Sequence, residues 1–479
     1  MIISETQIFG IMARQNSWWQ TGYIPSHLAH PFKKLAFYEI LNFLSYPDLN
    51  RAIILTGARR VGKTTLLHQI AAKNLKEGTR AKKIIYLNFE DFTLSQNDLP
   101  KILNLYEKNI GTIDHDNLLL LDEIHYIPNW TRWLMSFLRE YPRTRIVATG
   151  SAAVLLKNSK RTESAAGRWT SIHVPTLTFY EYLSLKGIAP PELPNDFDLY
   201  TLTKLSPQKK TDLMLQCAPL QSEFNNYLLQ GGFPAFVSGN FPLNMIQNFI
   251  REDIIDKTLK QDMALLYNAR SLHHLEKIFA YLCFNLGGIL EKNTLARELG
   301  VSPITVENHL QRLEDTHLIY RLNPFNQKGK KSLKPRAKFY IADPSLRNAV
   351  LLKGEGIFED PNELGPLVEA CVLKHLHTFY HSQGAWAGYW RKNREIDFVF
   401  TLPNNTIHAY EVKYQENPEG KIIESYEEFF KYTPKVSHAF AITKNVSNYG
   451  IIKETNIFKI PAFLFCYLLG FIENNKLKK

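Results

Sequence analysis

The feature that most constrains this chain is a glycine-rich segment, "GARRVGKTT", that directly follows the apolar run "AIILT". It fits the pattern G-x-x-x-x-G-K-[ST] at Gly57, Gly62, Lys63 and Thr64, and a helical pattern follows it. In such a loop the backbone N–H groups converge at the amino terminus of a helix, where partial positive charge attracts phosphate oxygens. The segment therefore predicts a strand, a phosphate-binding loop and a helix within a parallel sheet.

The bound ligand expected from this loop is ATP with Mg²⁺. Lys63 is expected to reach the β- and γ-phosphates and to assist catalysis, and the Thr64 hydroxyl is expected to bind the metal. The predicted nucleotide-binding residues of the loop are Gly57, Ala58, Arg59, Arg60, Val61, Gly62, Lys63, Thr64 and Thr65.

Two acids follow the continuous apolar run in "NLLLLDEIH", which is typical of a central parallel strand. Acids at the carboxyl end of such a strand face the phosphate crevice. We expect Asp122 to hold Mg²⁺ and Glu123 to orient the attacking water. One strand later, "RIVATGS" offers Thr149 or Ser151 as a hydroxyl that senses the γ-phosphate, unless this is a simple strand-end turn.

The bulk composition indicates a globular protein of two to four domains. The 479 residues exceed what one core usually serves, and 45% of them are hydrophobic. The net charge of +11 favours a polyanionic partner. The four cysteines lack a CxxC pair, the amino terminus lacks a signal-peptide pattern, and the most apolar run, residues 460–472, is too short to span a bilayer. We therefore expect reduced thiols, no zinc, no membrane partner and a cytoplasmic location.

A helix-turn-helix pattern occupies "NTLARELGVSPITVENHLQRLEDTHLIYRL". Gly300 makes the turn and Ser302 caps the second helix, which resembles the recognition helix of a winged helix. That helix is expected to present Thr305, Asn308, His309 and Arg312. The following loop, "NQKGKKSLKPRAK", has no acid, and its candidate DNA contacts are Lys330, Lys331 and Lys334. Two interpretations stay open: a DNA-binding wing, or an internal lid that reports nucleotide state.

The stretch "AYEVKYQ" places Glu411 and Lys413 on one face of a predicted strand, and the preceding strand "REIDFVF" carries Asp397. An Asp on one strand and E-x-K on the next resembles restriction-endonuclease-like folds, in which an earlier helical acid, here Glu369, completes the set. Asp397 and Glu411 would hold a metal ion, and Lys413 would position the attacking water. The alternatives are a catalytically active metal-dependent nuclease and an inactive scaffold that retains the motif.

The blocks "GARRVGKTTLL", "LLDEIHYIPNW", "AAGRWTSIHVPTLTFYEYL" and "QGGFPAFV" resemble AAA+-type ATPases. More closely, they resemble a bacterial and archaeal group of uncharacterised ATPases with a C-terminal domain of unknown function. The resemblance implies that Pro234 belongs to a helical lid near the nucleotide. It also implies that Arg168 senses or stabilises the γ-phosphate, although Arg168 can equally be a surface arginine. Such relatives often form homo-oligomers.

The expected fold class is α/β. It comprises a P-loop NTPase parallel sheet with a helical lid and a winged helix, followed by an α/β restriction-endonuclease-like domain. The predicted divisions are a helical segment 1–48, an ATPase core 49–178, a lid with a loop insertion 179–270, a winged helix-turn-helix 271–338 and an endonuclease-like domain 339–479. The expected function is an ATPase that couples nucleotide state to the C-terminal part, with DNA as a possible partner. The alternatives are an ATP-regulated nuclease and a non-enzymatic nucleotide switch.

Overall fold

A computed structural model describes residues 4–478 except 47, 151–167, 190, 192, 195–196, 266–268 and 326–335. Ser151, Lys330, Lys331 and Lys334 therefore lie outside the described residues. The chain divides into two compact units. The first comprises residues 1–175 and 261–266, and the second comprises residues 176–260 and 267–479.

The first unit is a parallel sheet with helices. Its strands are β1 (Ala52–Thr56), β2 (Ile84–Asn88), β3 (Leu118–Asp122), β4 (Arg145–Thr149) and β5 (Trp169–His173), in the spatial order β2-β3-β4-β1-β5. Its helices are α1 (Glu5–Gln15), α2 (Trp18–Thr21), α3 (Leu35–Leu44), α4 (Lys63–Lys76), α5 (Phe92–Ser95), α6 (Leu99–Asn109) and α7 (Trp130–Glu140). All neighbouring strand pairs are parallel.

The buried strands β1 and β3 hold the site at their carboxyl ends. Every residue of both strands is buried, as expected for a parallel sheet covered on both faces. Gly57 follows β1 at φ +148, and a Cβ there would lie 2.3 Å from the carbonyl oxygen of Val174. Gly62 caps α4 at φ +97. The turn into α4 therefore requires glycine at both positions.

The second unit begins with helices. They are α8 (Phe179–Leu185), α9 (Leu199–Lys204), α10 (Pro207–Cys217), α11 (Leu220–Gln230), α12 (Pro234–Val237), α13 (Leu243–Phe249), α14 (Ala269–Phe284), α15 (Lys292–Leu299) and α16 (Pro303–Asp315). A π-type helix runs over Ile250–Asp262, and its residues from 261 onward fold with the first unit.

A mixed eight-stranded sheet organises the rest of the second unit. The strands are β6 (Ile319–Pro324), β7 (Lys338–Ile341), β8 (Trp386–Arg391), β9 (Glu395–Thr401), β10 (Ile407–Lys413), β11 (His438–Thr443), β12 (Gly450–Ile451) and β13 (Ile457–Pro461), in the order β12-β13-β11-β10-β9-β8-β6-β7. The helices are α17 (Pro344–Leu351), α18 (Pro361–His381), α19 (Glu419–Tyr432) and α20 (Ala462–Lys478).

Helices cover both faces of this sheet. Tyr426 and Phe429 of α19 join the buried cluster on one face with Val399 and Ala409. On the other face, α18 and α20 pack aromatic side chains against the strands, as in the contact of Tyr380 with Phe400 and of Tyr410 with Phe465. The helix α20 buries the apolar run of residues 460–472 almost completely. No described helix has both the length and the apolarity needed to cross a membrane.

The predicted fold class is confirmed as a P-loop NTPase parallel sheet followed by an α/β region with a mixed sheet. The predicted domain boundaries stay a prediction. The division of the structure into two units groups the predicted segments differently. Apart from residues 261–266, the segments expected as lid, winged helix and C-terminal domain lie together in the second unit. The strand β6 pairs with both β7 and β8, so the hairpin that follows α16 continues the C-terminal sheet.

Candidate functional site

The loop between β1 and α4 holds its lysine in a defined position. The ammonium group of Lys63 donates hydrogen bonds of 3.0 Å to the carbonyl oxygens of both Gly57 and Ala58. The Lys63 side chain is buried, whereas Thr64 at the start of α4 is exposed. The lysine is therefore held back against its own loop.

Asp122, at the end of β3, accepts hydrogen bonds from three hydroxyl groups. The hydroxyls of Thr64 and Tyr86 donate to its Oδ2 at 2.8 and 2.9 Å, and Thr149 donates to its Oδ1. Burial raises the pKa of Asp122, and the charge of Glu123 raises it further, while these hydrogen bonds oppose the shift. The two residues predicted to hold Mg²⁺, Thr64 and Asp122, are thus in direct contact.

Glu123 lies beside Asp122 with a different environment. Its backbone N–H donates to the Thr149 hydroxyl at 2.9 Å, and its carboxylate lies 3.2 Å from Nδ1 of His125. Although burial opposes it, the hydrogen bond from His125 and the positive charges of Lys63 and Arg59 lower the pKa of Glu123 to about 2. Glu123 is therefore an ionised carboxylate at neutral pH.

Arg59 in the loop is paired with a residue two hundred positions away. Its Nε donates to Asp262 at 3.0 Å, and its Nη2 donates to the second carboxylate oxygen. Although burial opposes it, this contact raises the pKa of Arg59 further, so the guanidinium keeps its charge. The pair attaches the loop to residues 261–266 of the first unit.

The remaining predicted nucleotide-site residues have varied environments. Arg168 precedes β5, is partly exposed, and accepts a backbone hydrogen bond from Ala52 at 3.1 Å. Pro234 belongs to the second unit, where it begins α12. The sequence did not predict Tyr86, His125 or Asp262 as part of the site. A possible signal existed for Tyr86, which lies on the strand next to the acidic one.

The second unit assembles the residues predicted as a nuclease set. The backbone N–H of Asp397 donates to the Glu411 carboxylate at 3.1 Å, and Val412 N–H donates to the Asp397 carboxylate at 2.8 Å. Lys413 forms an ion pair with Glu411, whose side chain is completely buried. Ser425 also donates to Glu411, at 3.4 Å. Glu411 and Lys413 therefore form an ion pair in which the acid is buried and the lysine is partly exposed.

Glu369 of α18 completes this carboxylate cluster. The Tyr340 hydroxyl donates to Glu369 at 2.5 Å, and the Lys338 ammonium lies 3.9 Å from the same carboxylate. Burial, together with the charge of Asp397, raises the pKa of Glu369 to about 8. The same two causes raise the pKa of Glu411.

The charges of the cluster do not balance. Four carboxylates (Glu369, Glu395, Asp397 and Glu411) interact with two lysines, Lys338 and Lys413. Although burial opposes it, these carboxylates raise the pKa of both lysines, so both carry a charge. With Arg391, which lies 3.5 Å from Glu395, three cations face these four acids, so an excess of one negative charge would remain if every acid were ionised.

The predicted recognition helix α16 presents only part of the expected face. Asn308 is exposed, and Thr305 and Arg312 are partly buried. His309 is buried at 1% exposure, so its expected exposure was wrong. It follows Val306 by three residues and precedes Leu310, both buried, and so shares their face of the helix.

The cysteines are less scattered than their spacing indicates. Within the described ranges, one group of potential metal ligands has all its ligand atoms within 4.8 Å of each other, namely Cys371, His375 and Cys466. However, His375 accepts the N–H of Phe179 at Nε2, and its Nδ1 lies 2.8 Å from the Cys371 carbonyl oxygen. Both ring nitrogens are engaged, so the imidazole has no lone pair to offer a metal in this arrangement.

Comparison with known families places matches along most of the chain. Residues 49–183 match the family of AAA domains. Residues 221–356 and 364–463 match two domains of unknown function, DUF8612 and DUF4143. The predicted resemblance to AAA-type ATPases is thus confirmed for the first of these segments.

The curated relatives are uncharacterised proteins. One from Haemophilus influenzae is 28% identical over 65% of this chain and 72% of its own length. One from Methanocaldococcus jannaschii is 26% identical over 79% of each chain.

Solved structures give looser matches. They include the Thermotoga maritima RuvB Holliday junction branch migration motor, at 17% identity and TM-score 0.26 over 59% of this chain and 88% of that one. They also include the Aeropyrum pernix Orc1 protein in complex with DNA, at 13% identity and TM-score 0.32 over 72% and 96%. At such scores nothing about ligands or partners follows for this chain.

Proposed function

We propose that the first unit binds ATP with Mg²⁺ and hydrolyses it. The observation that carries this proposal is the hydrogen bond of 2.8 Å between Thr64 and Asp122, which joins the phosphate-loop hydroxyl to the acid at the end of β3. The match of residues 49–183 to AAA domains supports it independently.

The neighbouring residues suit the expected roles. Lys63 exchanges its two carbonyl partners for β- and γ-phosphate oxygens and offsets their negative charge. Glu123, ionised because its pKa is about 2, accepts a hydrogen bond from the attacking water and orients it. Thr149 fixes both acids through its single hydroxyl.

The donor set fits a magnesium ion. The Thr64 hydroxyl and the Asp122 carboxylate are hard oxygen ligands, and two further hydroxyls orient that carboxylate. When bound, Mg²⁺ would neutralise phosphate charge. Thr64 and Asp122 are the residues that would hold it.

ATP turnover by purified protein tests this proposal. Lys63→Ala and Glu123→Gln should each lower kcat by about 100-fold or more, because each removes a group that acts on the transition state. Lys73→Ala is the matched control, since Lys73 lies on α4 and pairs with the exposed Glu77. Unchanged turnover in both site variants would refute the assignment, and ATP binding without any turnover would favour a non-enzymatic switch.

A second candidate function, metal-dependent cleavage of nucleic acid, rests on the buried cluster around Asp397 and Glu411. Each of these carboxylates accepts a backbone N–H from the other's strand, which fixes both side chains. Their oxygens are suitable ligands for a divalent cation, which would polarise a scissile phosphate. Lys413 would then leave Glu411 and position the attacking water.

Nicking of plasmid DNA in Mg²⁺ or Mn²⁺ tests this second function. Asp397→Ala should abolish nicking, whereas Glu424→Gln, an exposed acid of α19 paired with Arg394, should not. If wild-type protein binds the metal but cleaves no nucleic acid, the cluster is a scaffold.

We further propose that α16 and the loop after β6 engage DNA phosphates. The exposed Asn308 and the predicted contacts Lys330, Lys331 and Lys334 support this proposal. Neutralising the three lysines should weaken DNA binding and flatten its salt dependence. If neither the three substitutions nor the salt concentration changes the affinity for DNA, the loop is solvated surface and not part of the binding site.

A further inference from the structure

A cleft of about 800 Å³ opens at the amino-terminal edge of the first unit's sheet. Residues that lead into three different strands line it: Lys83 precedes β2, Asp116 precedes β3, and Arg143 precedes β4. The phosphate-binding loop follows the carboxyl end of β1, at the opposite edge of the same parallel sheet. The cleft is therefore distinct from the proposed ATP site.

Arginine charge dominates the cleft. Arg80, Arg143 and Arg145 all line it. Within the part of the chain that the structure describes, Arg80 and Arg145 form no ion pair, and Arg143 lies 3.9 Å from the exposed carboxylate of Asp48. Arg145 is partly buried and donates to the amide oxygen of Asn74 at 2.8 Å, which neutralises none of its charge.

Two other charged groups of the cleft, Lys83 and Glu77, pair with residues outside its lining. Lys83 pairs with Asp114, Glu77 pairs with Lys73, and His115 lies 3.5 Å from Asp116. The described lining carries four cationic side chains against two carboxylates, so its net charge stays positive although Glu77 and Asp116 both act on Arg145.

We propose that this cleft binds a ligand that carries several phosphate groups. Guanidinium groups keep their charge and present paired N–H donors that match phosphate oxygens. The volume lies in the range of small-ligand sites. Leu44 is the one apolar side chain of the described lining, whose one ring is the imidazole of His115. The chemistry thus fits recognition of phosphate groups, either on the backbone of DNA or in a soluble polyphosphate.

Binding of two probes tests the proposal and separates its sources. A fluorescein-labelled DNA duplex is titrated by anisotropy at several salt concentrations, and tripolyphosphate is titrated by calorimetry. In Arg80→Gln/Arg145→Gln, the affinity for the true ligand class should fall by about tenfold or more. If that class is DNA, the slope of log K against log salt should also fall by about two.

Arg139→Gln is the matched control, because Arg139 is an exposed arginine of α7 that does not line the cleft. Circular dichroism and the thermal midpoint verify that the double variant is folded. If the double variant loses affinity for only one of the two probes, that probe identifies the ligand source and the result supports the proposal. If neither probe binds wild-type protein, or if the double variant binds both probes as the control does, the proposal is overturned. Neither outcome depends on whether the protein hydrolyses ATP.

Discussion

Arg59 and Asp262 form a two-point ion pair, in which Nε and Nη2 of the guanidinium each donate to a different oxygen of the carboxylate. Arg59 belongs to the phosphate-binding loop, and Asp262 comes from the short segment 261–266 that folds with the first unit. The loop conformation is thus stabilised by a residue remote in sequence.

Removing this anchor should weaken ATP binding. In Asp262→Ala, Arg59 loses its partner and the loop is less preorganised, so the KM for ATP should rise by about three- to tenfold while kcat changes less. Asp256→Ala is a suitable control because it deletes an exposed acid that pairs with Lys260. Equal KM values for the two variants would show that the pair does not organise the loop. Steady-state turnover over a range of ATP concentrations gives both constants.

Thr149 is expected to act as a positioning residue for the two acids of the ATPase site. Its hydroxyl donates to Asp122 and accepts the N–H of Glu123. Thr149→Val keeps the shape of the side chain but removes both hydrogen bonds, so kcat should fall by about tenfold or more. Thr149→Ser should restore most of the rate. A purely structural role predicts a lower thermal midpoint in both variants and no such rescue of kcat.

Proton release should accompany metal binding in the second unit. Glu369, with a pKa of about 8, is largely protonated at pH 7. A divalent cation beside it favours the ionised carboxylate, so binding of Mg²⁺ or Mn²⁺ should release up to about one proton from Glu369 at pH 7 and less at pH 9. Calorimetry in buffers of different ionisation enthalpy measures this number, and Glu369→Gln should reduce it. Equal proton release in the variant would contradict the role of Glu369.

The same group makes stability depend on pH. Glu369 has an ordinary pKa of 4.5 when unfolded, so between that pH and about 8 the folded protein keeps a proton that the unfolded chain has lost. The free energy of unfolding therefore falls as pH rises through this window, by at most about 1.4 kcal/mol per pH unit for one proton. Denaturant unfolding at several pH values gives the unfolding free energy as a function of pH. Between pH 7 and 8 this free energy should fall less steeply with pH in Glu369→Gln than in wild type. Equal pH dependence in the two proteins would argue against a raised pKa.

The sequence predicted those features of the fold and the site that depend on residues close together in the chain. The glycine spacing around Lys63 predicted a strand, a turn and a helix, and the apolar run before the two acids predicted the strand β3. Both patterns are local signals. Glu411 and Lys413 were expected on one strand face, and period-2 geometry does bring their charges together. These are features of neighbouring residues.

Contacts remote in sequence could not be predicted in this way. Nothing near Asp262 indicates that it pairs with Arg59, and the place of Tyr86 on the strand next to the acidic one does not by itself predict its hydrogen bond to Asp122. The burial of His309 depends on which helix face meets the core, and polarity alone suggested the wrong face. The pairing of β6 with β8, which extends the C-terminal sheet, depends on chain packing rather than on local residue pattern.

The completely buried pair of Lys374 and Asp343, 2.8 Å apart, provides a last prediction for the second unit. Lys374→Met leaves the Asp343 carboxylate buried without a cation, which should cost about 3–5 kcal/mol of unfolding free energy. Adding Asp343→Asn removes that charge and keeps an amide oxygen for the Thr176 hydroxyl and the Gly232 N–H. The double variant should therefore be more stable than Lys374→Met alone. Denaturant unfolding of the three proteins measures this order, and a double variant less stable than the single one would show that hydrogen bonding, rather than charge, dominates the cluster.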